Sequence, residues 1–270
     1  MTQPAPYIEV AAGTMRARVS GESGPRIIGL EVDGHGELLG STAVVVDGDA
    51  GPVPLIGGHR LWSAPETRAT TYVADAPVLT SELDGGVRVE SNDTGQTLMK
   101  VMEVRPSGSS LIVDHTLVNV SSESVETAAW AITMVRLGGA VVIPVPERGL
   151  DEVGLQASFA LVTWPYSDPA DPRLTFDKSG ARISVEEGPT FKVGVSSLLG
   201  RVEYVLGDLR FTKTIEPYDP TERYADLGAV IQVYVGSGFC EIETLGPLRN
   251  LTPGDSVTHR EVWEVGSTTG

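Results

Sequence analysis

Two carboxylates stand two residues apart in an apolar segment near the end of the chain. The run from Phe239 to Leu245 is typical of a β-strand, in which side chains alternate between the two faces. Phe239, Glu241, Glu243 and Leu245 therefore share one face, on which the two glutamates lie roughly 6.5–7 Å apart. Carboxylates are rarely buried without partners, because desolvating the charge is costly. Either this face lies in water, or the glutamates meet something specific in a cleft.

A second group of chemically able side chains follows a glycine pair early in the chain. His59, Arg60, Trp62 and Glu66 supply a proton shuttle, a forked donor, a stacking face and an acceptor within eight residues. This set could bind a sugar, whose C–H faces pack on aromatic rings and whose hydroxyls bind charged groups. The same residues are compatible with a surface loop in which Arg60 pairs with Glu66 and Trp62 covers the core.

His115 lies in a predicted strand over 110–120, where alternation surrounds it with apolar side chains and Asn119. A histidine on a mostly apolar face is more often structural than catalytic. Asn119 on the same face indicates that the face becomes polar at one end, as the floor of a cleft would.

Two further segments supply candidate substrate contacts. Trp164, Tyr166 and Arg173 lie in the proline-rich run TWPYSDPADPR, whose stiffness suits the wall of a binding pocket. Lys213 shares a strand face with Phe211 and could serve as a cation for a substrate. An ordinary surface connection and a surface charge explain these features equally well.

Neither a metal nor a cofactor is predicted. The four histidines are scattered, and only long-range convergence could bring them together. One of them, His259, shares a face of the closing strand with Glu261 and Trp263, which a strand with one solvated side also explains. The sequence contains no P-loop, no GxGxxG opening a helix, no GxSxG elbow and no HExxH.

The charge of the 270-residue chain limits its partners. It carries 20 basic and 36 acidic residues, for a formal net charge of -16. Nucleic acids and anionic membranes bind through basic side chains, so neither is an expected partner. A neutral small molecule such as a sugar is compatible with this charge. Because the sequence has neither a signal-peptide pattern nor a long apolar run, a cytoplasmic protein is expected.

Short strand patterns separated by turn clusters dominate the chain. Its 31 glycines and 18 prolines suit tight turns, and only residues 147–153 could form a helical turn. This predicts an all-β fold, a large antiparallel two-sheet sandwich in one domain over 1–270, with an ordered core over roughly 7–265. Unpaired edge strands would permit a homodimer. Strands are predicted over 7–11, 15–19, 26–32, 42–46, 70–74, 87–91, 98–105, 110–120, 126–135, 140–144, 158–164, 181–186, 190–196, 202–206, 209–214, 229–235, 239–245 and 256–265.

Five segments occur in a fixed order over roughly residues 40–265. They are GGHRLWSAPE, VDHTLVN, AAWAIT, WPYSDPADPR and FCEIETLGPLRNLTPGDSVTHREVW. Together they resemble an uncharacterised bacterial family of the galactose mutarotase-like superfamily. The resemblance implies a large antiparallel β-supersandwich with a carbohydrate-type cleft on one sheet face.

The resemblance also implies roles for particular residues. Aldose mutarotases carry their general base in a Leu-Glu-Thr-Gln-like strand before a Pro-Gly turn, which places the base at Glu243. An arginine that binds sugar hydroxyls is similar to Arg60. The mutarotase general acid is a histidine, and the comparable segment here, 129–132, contains none. His59 or His115 would then have to supply the acid.

The favoured hypothesis is an enzyme of aldose 1-epimerase type acting on a sugar or sugar-like molecule. Glu243 would take the anomeric hydroxyl proton while a histidine protonates the ring oxygen, and the like charge of Glu241 would raise the pKa of Glu243. Trp62, Trp130 or Trp164 would stack on the ring. Two alternatives stay open: a non-catalytic carbohydrate-binding protein, or a lyase, isomerase or cyclase for a non-sugar substrate.

Overall fold

The computed structural model describes residues 6–91, 96–146, 151, 153–236 and 238–268. Apart from one 3-10 turn at Asp226–Gly228, the regular structure of this part consists of β-strands. No helix within it is long and apolar enough to cross a membrane. The strands are β1 (Tyr7–Ala12), β2 (Met15–Ser20), β3 (Ser23–Gly24), β4 (Arg26–Val32), β5 (Gly36–Glu37), β6 (Val45–Gly48), β7 (Gly51–Pro54), β8 (His59–Ala64), β9 (Ala76–Leu83), β10 (Gly86–Ser91), β11 (Leu98–Ser107), β12 (Ser110–Asn119), β13 (Val125–Val135), β14 (Ala140–Pro144), β15 (Leu161–Thr163), β16 (Leu174–Asp177), β17 (Gly180–Ser184), β18 (Phe191–Val195), β19 (Arg201–Leu206), β20 (Leu209–Thr214), β21 (Ile231–Val235), β22 (Cys240–Leu245), β23 (Arg249–Leu251) and β24 (Ser256–Ser267).

The strands form two large antiparallel sheets and one separate hairpin. Sheet I has the order β1-β2-β4-β8-β13-β22-β21-β18-β15, with β5 beside β4 and β23 beside β13. Sheet II has the order β16-β17-β14-β19-β20-β24-β12-β11-β10-β9-β3, and β6 pairs with β7. The main apolar core draws on both sheets, for example on Val19 and Leu30 from sheet I and on Val104 and Leu117 from sheet II. The predicted all-β, two-sheet antiparallel sandwich is confirmed.

The centre of sheet I is buried on both faces. A second apolar cluster, which includes Trp62, Trp130 and Ile132, covers the face that points away from sheet II. All six residues of β8 are buried, although a strand with one solvated face would alternate between buried and exposed positions. The interpretation of the segment around Trp62 as a surface loop is therefore wrong, because this segment is a central strand.

Two local expectations can be tested against the structure. Residues 70–74 do not form a strand, because Thr70 to Tyr72 form a turn in which the Thr71 hydroxyl donates to the Ser63 carbonyl at 2.9 Å. On the closing strand β24, His259, Glu261 and Trp263 are buried on one face, whereas Arg260 and Glu264 are exposed on the other. The expectation of one solvated face is therefore confirmed. Most of the predicted helical turn over 147–153 lies outside the described residues.

A buried polar network joins the two sheets. The Lys213 ammonium lies 2.7 Å from Glu261 Oε1 and donates to Thr133 Oγ1 at 2.8 Å. The indole of Trp263 donates to Glu261 Oε2 at 2.7 Å. Burial raises the pKa of Glu261, but Lys213 and the neighbouring histidines together lower it more, so that it lies below its ordinary range. The pair is therefore ionised inside the sandwich.

Two histidines extend this network. His115 Nδ1 lies 3.1 Å from the His259 carbonyl oxygen, which can only accept, so Nδ1 carries the proton. His115 Nε2 must then accept from His59 Nε2–H at 2.6 Å. His59 Nδ1 in turn accepts from the Thr133 hydroxyl at 2.9 Å. Both imidazoles are neutral in this arrangement, as expected from burial, which lowers the pKa of each.

Removing one charge of the Lys213–Glu261 pair will destabilise the fold. We expect Glu261→Gln to lower the free energy of unfolding by about 3–5 kcal/mol, because it leaves a buried ammonium without its carboxylate. The double variant Lys213→Met/Glu261→Gln should recover most of this loss. Urea unfolding of the three proteins measures both effects.

The matched control is an exposed ion pair. Arg223 and Glu126 lie 2.6 Å apart, but their side chains are 72% and 43% exposed. Arg223→Ala should therefore leave the free energy of unfolding almost unchanged. If Glu261→Gln lowers the free energy of unfolding no more than Arg223→Ala does, Lys213 and Glu261 do not form an ionised pair that stabilises the contact between the sheets.

Candidate functional site

A pocket of about 330 Å³ lies on the face of sheet I that points away from sheet II. Its floor is formed by side chains of β8, β13, β18, β21 and β22. The β6–β7 hairpin and the segments around residues 66–72 and 164–166 form its walls. Sheet I therefore supplies a rigid floor, and connecting segments supply the rim.

Strand alternation places the two glutamates of β22 in this pocket. Cys240 and Ile242 belong to the core between the sheets, whereas Glu241 and Glu243 line the pocket. Glu241 is 7% exposed and Glu243 is 1% exposed. The predicted common face is confirmed, and it lies in a covered cleft rather than in open water.

Glu241 is neutralised by Arg60 of β8. Arg60 Nη2 donates to Glu241 Oε1 at 2.8 Å, and the guanidinium carbon lies 4.2 Å from the centroid of the Trp62 ring. The other two nitrogens of Arg60, Nε and Nη1, are buried and make no hydrogen bond with the described residues. Arg60 is thus a cation held in place by Glu241 and Trp62, with N–H groups that have no partner among the described residues.

Glu243 is held by two donors from neighbouring strands. The Lys192 ammonium of β18 and the Trp130 indole of β13 both donate to Glu243 Oε2 at 2.9 Å. The same ammonium lies 4.9 Å from the Trp130 ring centroid and 4.6 Å from that of Trp164. The cation is thus fixed by one carboxylate and two aromatic faces.

The surroundings of Glu243 bring its pKa close to neutrality. Burial raises the pKa, Lys192 lowers it and the like charge of Glu241 raises it again, with the result at about 7. A carboxyl group with this pKa can accept and release a proton near neutral pH. Among the described glutamates, Glu243 is therefore the best placed for general acid–base chemistry.

Aromatic side chains enclose the two ion pairs. Trp62 meets Trp130 edge-on with 5.7 Å between ring centroids, and Tyr72 packs on Trp62 at 5.3 Å. The Tyr72 hydroxyl donates to Glu66 at the rim. Burial and the nearby glutamates raise the pKa of Tyr72 and of Tyr166, so both phenols are protonated at neutral pH.

Eight of the thirteen residues proposed from the sequence line this pocket. They are Arg60, Trp62, Glu66, Trp130, Trp164, Tyr166, Glu241 and Glu243. Sequence reasoning missed Lys192, Tyr72 and Tyr234. The signal for Lys192 was a lone lysine inside the apolar strand FKVGV, where a buried charge requires a partner.

The two candidate acids lie elsewhere. His59 and His115 are fully buried between the sheets, and neither lines the pocket. His59 is adjacent to Arg60 on β8, so alternation directs it to the opposite face of sheet I. The structure therefore corrects the expectation that one of these histidines faces Glu243.

Three proposed substrate contacts have structural partners instead. Asn119 donates to the backbone carbonyl oxygens of Glu123 and Leu251 at 2.7 and 2.9 Å. Arg173 binds the carboxylate of Asp171 through Nε at 2.9 Å and Nη2 at 2.6 Å. Lys213 belongs to the network between the sheets. None of the three lines the pocket.

One group in the described part could gather around a metal ion. The ligand atoms of His59, His115 and Glu261 all lie within 4.8 Å of one another. However, the Lys213 ammonium already neutralises Glu261 at 2.7 Å, and the two imidazoles satisfy each other directly. A divalent cation would add two uncompensated charges to this enclosed space. The donors fit a hydrogen-bond network better than a metal centre.

Comparisons with known proteins show the fold. No protein-family model and no curated protein sequence matches the chain. A candidate aldose 1-epimerase from Escherichia coli K12 has a TM-score of 0.59 at 12% identity, covering 97% of this chain and 99% of that one. A galactose mutarotase-like protein from Lactobacillus casei gives 0.57 at 11% identity, with 96% and 100% covered. A galactose mutarotase related enzyme from Lactobacillus acidophilus gives 0.54 at 10% identity, with 97% and 98% covered. The expected galactose mutarotase-like fold is confirmed.

The pKa of Glu243 should depend on Lys192. In wild-type protein we expect the Glu243 carboxyl to titrate with a midpoint near 7. Lys192→Met should move the midpoint upward, because it removes the charge that favours the carboxylate. Carbon-13 NMR of protein labelled at its glutamates measures the midpoint, and Glu243→Gln assigns the signal.

The exposed lysine Lys178 provides the control for this titration. Lys178→Met should leave the midpoint unchanged. If Lys192→Met also leaves it unchanged, the ion pair does not act on Glu243 as described.

Proposed function

We propose that the protein is an enzyme that binds a sugar or sugar-like molecule in the pocket above sheet I. Its reaction would be acid–base chemistry of the mutarotase or epimerase type. One observation supports the proposal. The buried carboxyl group of Glu243 has a pKa of about 7 and lies 2.9 Å from the Lys192 ammonium. A pocket of about 330 Å³ is at the lower end of the range for small-molecule sites.

Glu243 and Lys192 have the properties of a base and an acid. Both hydrogen bonds to Glu243 go to Oε2, so Oε1 can accept a substrate proton. An ammonium has three N–H donors, and Lys192 uses one of them on Glu243. Glu243 would take the proton from the anomeric hydroxyl while Lys192 protonates the ring oxygen. The bond between the anomeric carbon and the ring oxygen then breaks, giving an open-chain aldehyde and neutral Glu243 and Lys192. Ring closure on the other face reverses both proton transfers.

The remaining pocket residues suit binding and orientation. Arg60 lines the pocket, and its Nε and Nη1 nitrogens have no hydrogen-bond partner among the described residues, which suits a residue that orients substrate hydroxyls. Trp62, Trp130 and Trp164 present aromatic surface on which the C–H face of a sugar ring can pack. The two ion pairs leave little net charge on the floor, which suits a neutral substrate.

A non-catalytic carbohydrate-binding protein is the second candidate. It is favoured by the fact that both glutamates already have tight cationic partners, Arg60 for Glu241 and Lys192 for Glu243. Such pairs also serve a site that only binds. A lyase, isomerase or cyclase for a non-sugar substrate is the third, because this fold does not determine the reaction.

Removal of the proposed base should abolish turnover. We expect Glu243→Gln to reduce anomer exchange by about 10²–10⁴-fold, since the amide cannot accept the proton. Saturation-transfer NMR on a panel of aldoses measures exchange, and isothermal titration calorimetry measures binding. Glu82→Gln, at an exposed position on β9, is the matched control and should exchange at the wild-type rate.

The same panel separates the candidates. Exchange by wild-type protein that persists unchanged in Glu243→Gln would overturn the assignment of the base. Binding without exchange in wild-type protein would identify a carbohydrate-binding protein instead.

Exchange should also depend on pH. Protonated Glu243 cannot act as a base, so kcat/KM should be lost as the pH falls through about 7. In Lys192→Met any residual activity should require a higher pH, because the pKa of Glu243 rises. A flat profile between pH 5 and pH 8 would contradict Glu243 as the base.

A further inference from the structure

All but one of the buried lysines and arginines in the described ranges form an ion pair with a carboxylate. Six lysine and arginine side chains are buried in the described part of the chain. Five of them have ion-pair partners, and Lys100 on β11 has none among the described residues. The five pairs are Arg26–Asp75, Arg60–Glu241, Arg173–Asp171, Lys192–Glu243 and Lys213–Glu261.

Burial of the Lys100 ammonium is energetically unfavourable. Its residue is 6% exposed, and a buried ammonium without a partner is rare. Burial lowers the pKa of Lys100, Asp75 raises it and the nearby charges of Arg26 and Arg60 lower it, with the result at about 8. A fraction of the amine is thus already neutral near physiological pH, and an anion at this place would favour the charged form.

The side chain of Lys100 lines a second pocket, with a volume of about 260 Å³. Ser63 of β8 lines this pocket, whereas its neighbour Trp62 lines the pocket that holds Glu243. The two pockets therefore lie on opposite faces of the same strand. Around Lys100, the second pocket combines hydroxyls from Ser63 and Thr97 with apolar surface from Val73 and Leu98.

We infer that this second pocket binds a small organic anion with a single carboxylate group. The carboxylate accepts hydrogen bonds from the Lys100 ammonium and supplies its missing partner. The hydrocarbon part packs against Val73 and Leu98. One lysine matches one negative charge, and the apolar wall favours an organic acid over an inorganic ion. This inference does not depend on the proposed sugar chemistry, which uses other residues.

The test uses NMR of the four lysines, labelled with carbon-13. Acetate, butyrate and hexanoate are titrated into wild-type protein, alongside butyramide and inorganic phosphate. We expect butyrate and hexanoate to shift the Lys100 signals and to bind more tightly than acetate. Butyramide, which lacks the charge, and phosphate, which lacks the hydrocarbon, should bind weakly or not at all.

Variants assign the effect to Lys100. Lys100→Met should weaken butyrate binding by about 10- to 100-fold, and the exposed Lys178→Met should leave it unchanged. Equal affinity in wild type and Lys100→Met, tighter binding of phosphate than of butyrate, or no binding of any carboxylate would each overturn the inference.

Two further measurements keep the test decisive. Lys100→Met removes a buried charge that has no ion-pair partner among the described residues, so its melting temperature should equal or exceed that of wild type. In wild-type protein, butyrate binding should weaken as the pH rises through about 8, because Lys100 loses its proton; the charged groups that act on it are Asp75, Arg26 and Arg60. Binding that is independent of pH between 7 and 10 would exclude Lys100 as the cation.

Discussion

Burial of both faces of sheet I at its centre is the constraint on which the rest of the structure depends. Along β22, alternation sends Ile242 into the core between the sheets and Glu243 into the outer pocket. Because neither face is solvated, each charge on these strands must be neutralised by a side chain from another strand. Arg60 does this for Glu241, and Lys192 does it for Glu243. The chemistry of the pocket follows from these pairings.

The same constraint acts between the sheets, with a different outcome. There Lys213 and Glu261 neutralise each other, and neutral imidazoles complete the hydrogen bonds. That network has no unsatisfied member to offer a ligand, so it holds the sheets together and leaves binding to the outer face. Lys100 departs from this pattern, because it is buried beside a pocket and has no ion-pair partner among the described residues.

Much of the fold and part of the candidate site could be predicted from local sequence patterns. The remaining site residues depend on which face of a sheet points into the core, and that is not encoded locally. The pairing of Glu241 with Glu243 on one face needed only the two-residue period of a strand. The all-β sandwich followed from many short strands separated by turns. The β8 strand was missed because burial of both faces removes the alternation that identifies a strand. His59 was expected in the site because it lies in the cluster over 59–66 and because segment 129–132 contains no histidine, but adjacent residues of a strand, such as His59 and Arg60, face opposite ways. Lys192 reaches Glu243 only through the order of strands in sheet I, which no local spacing encodes.

The proposed use of Lys192 as the acid has a physical consequence. Lys192 and Glu243 form an ion pair in which the residues are 3% and 1% exposed. When Glu243 accepts a proton and Lys192 gives one up, both groups become neutral in the same step. A site of low dielectric favours the neutral forms, so burial opposes the resting ion pair and assists the paired proton transfer. The Trp130 and Trp164 rings act against this by stabilising the ammonium from two sides. The balance between the desolvation of the pair and this aromatic enclosure therefore determines how readily Lys192 can serve as an acid, and hence whether the pocket catalyses or only binds.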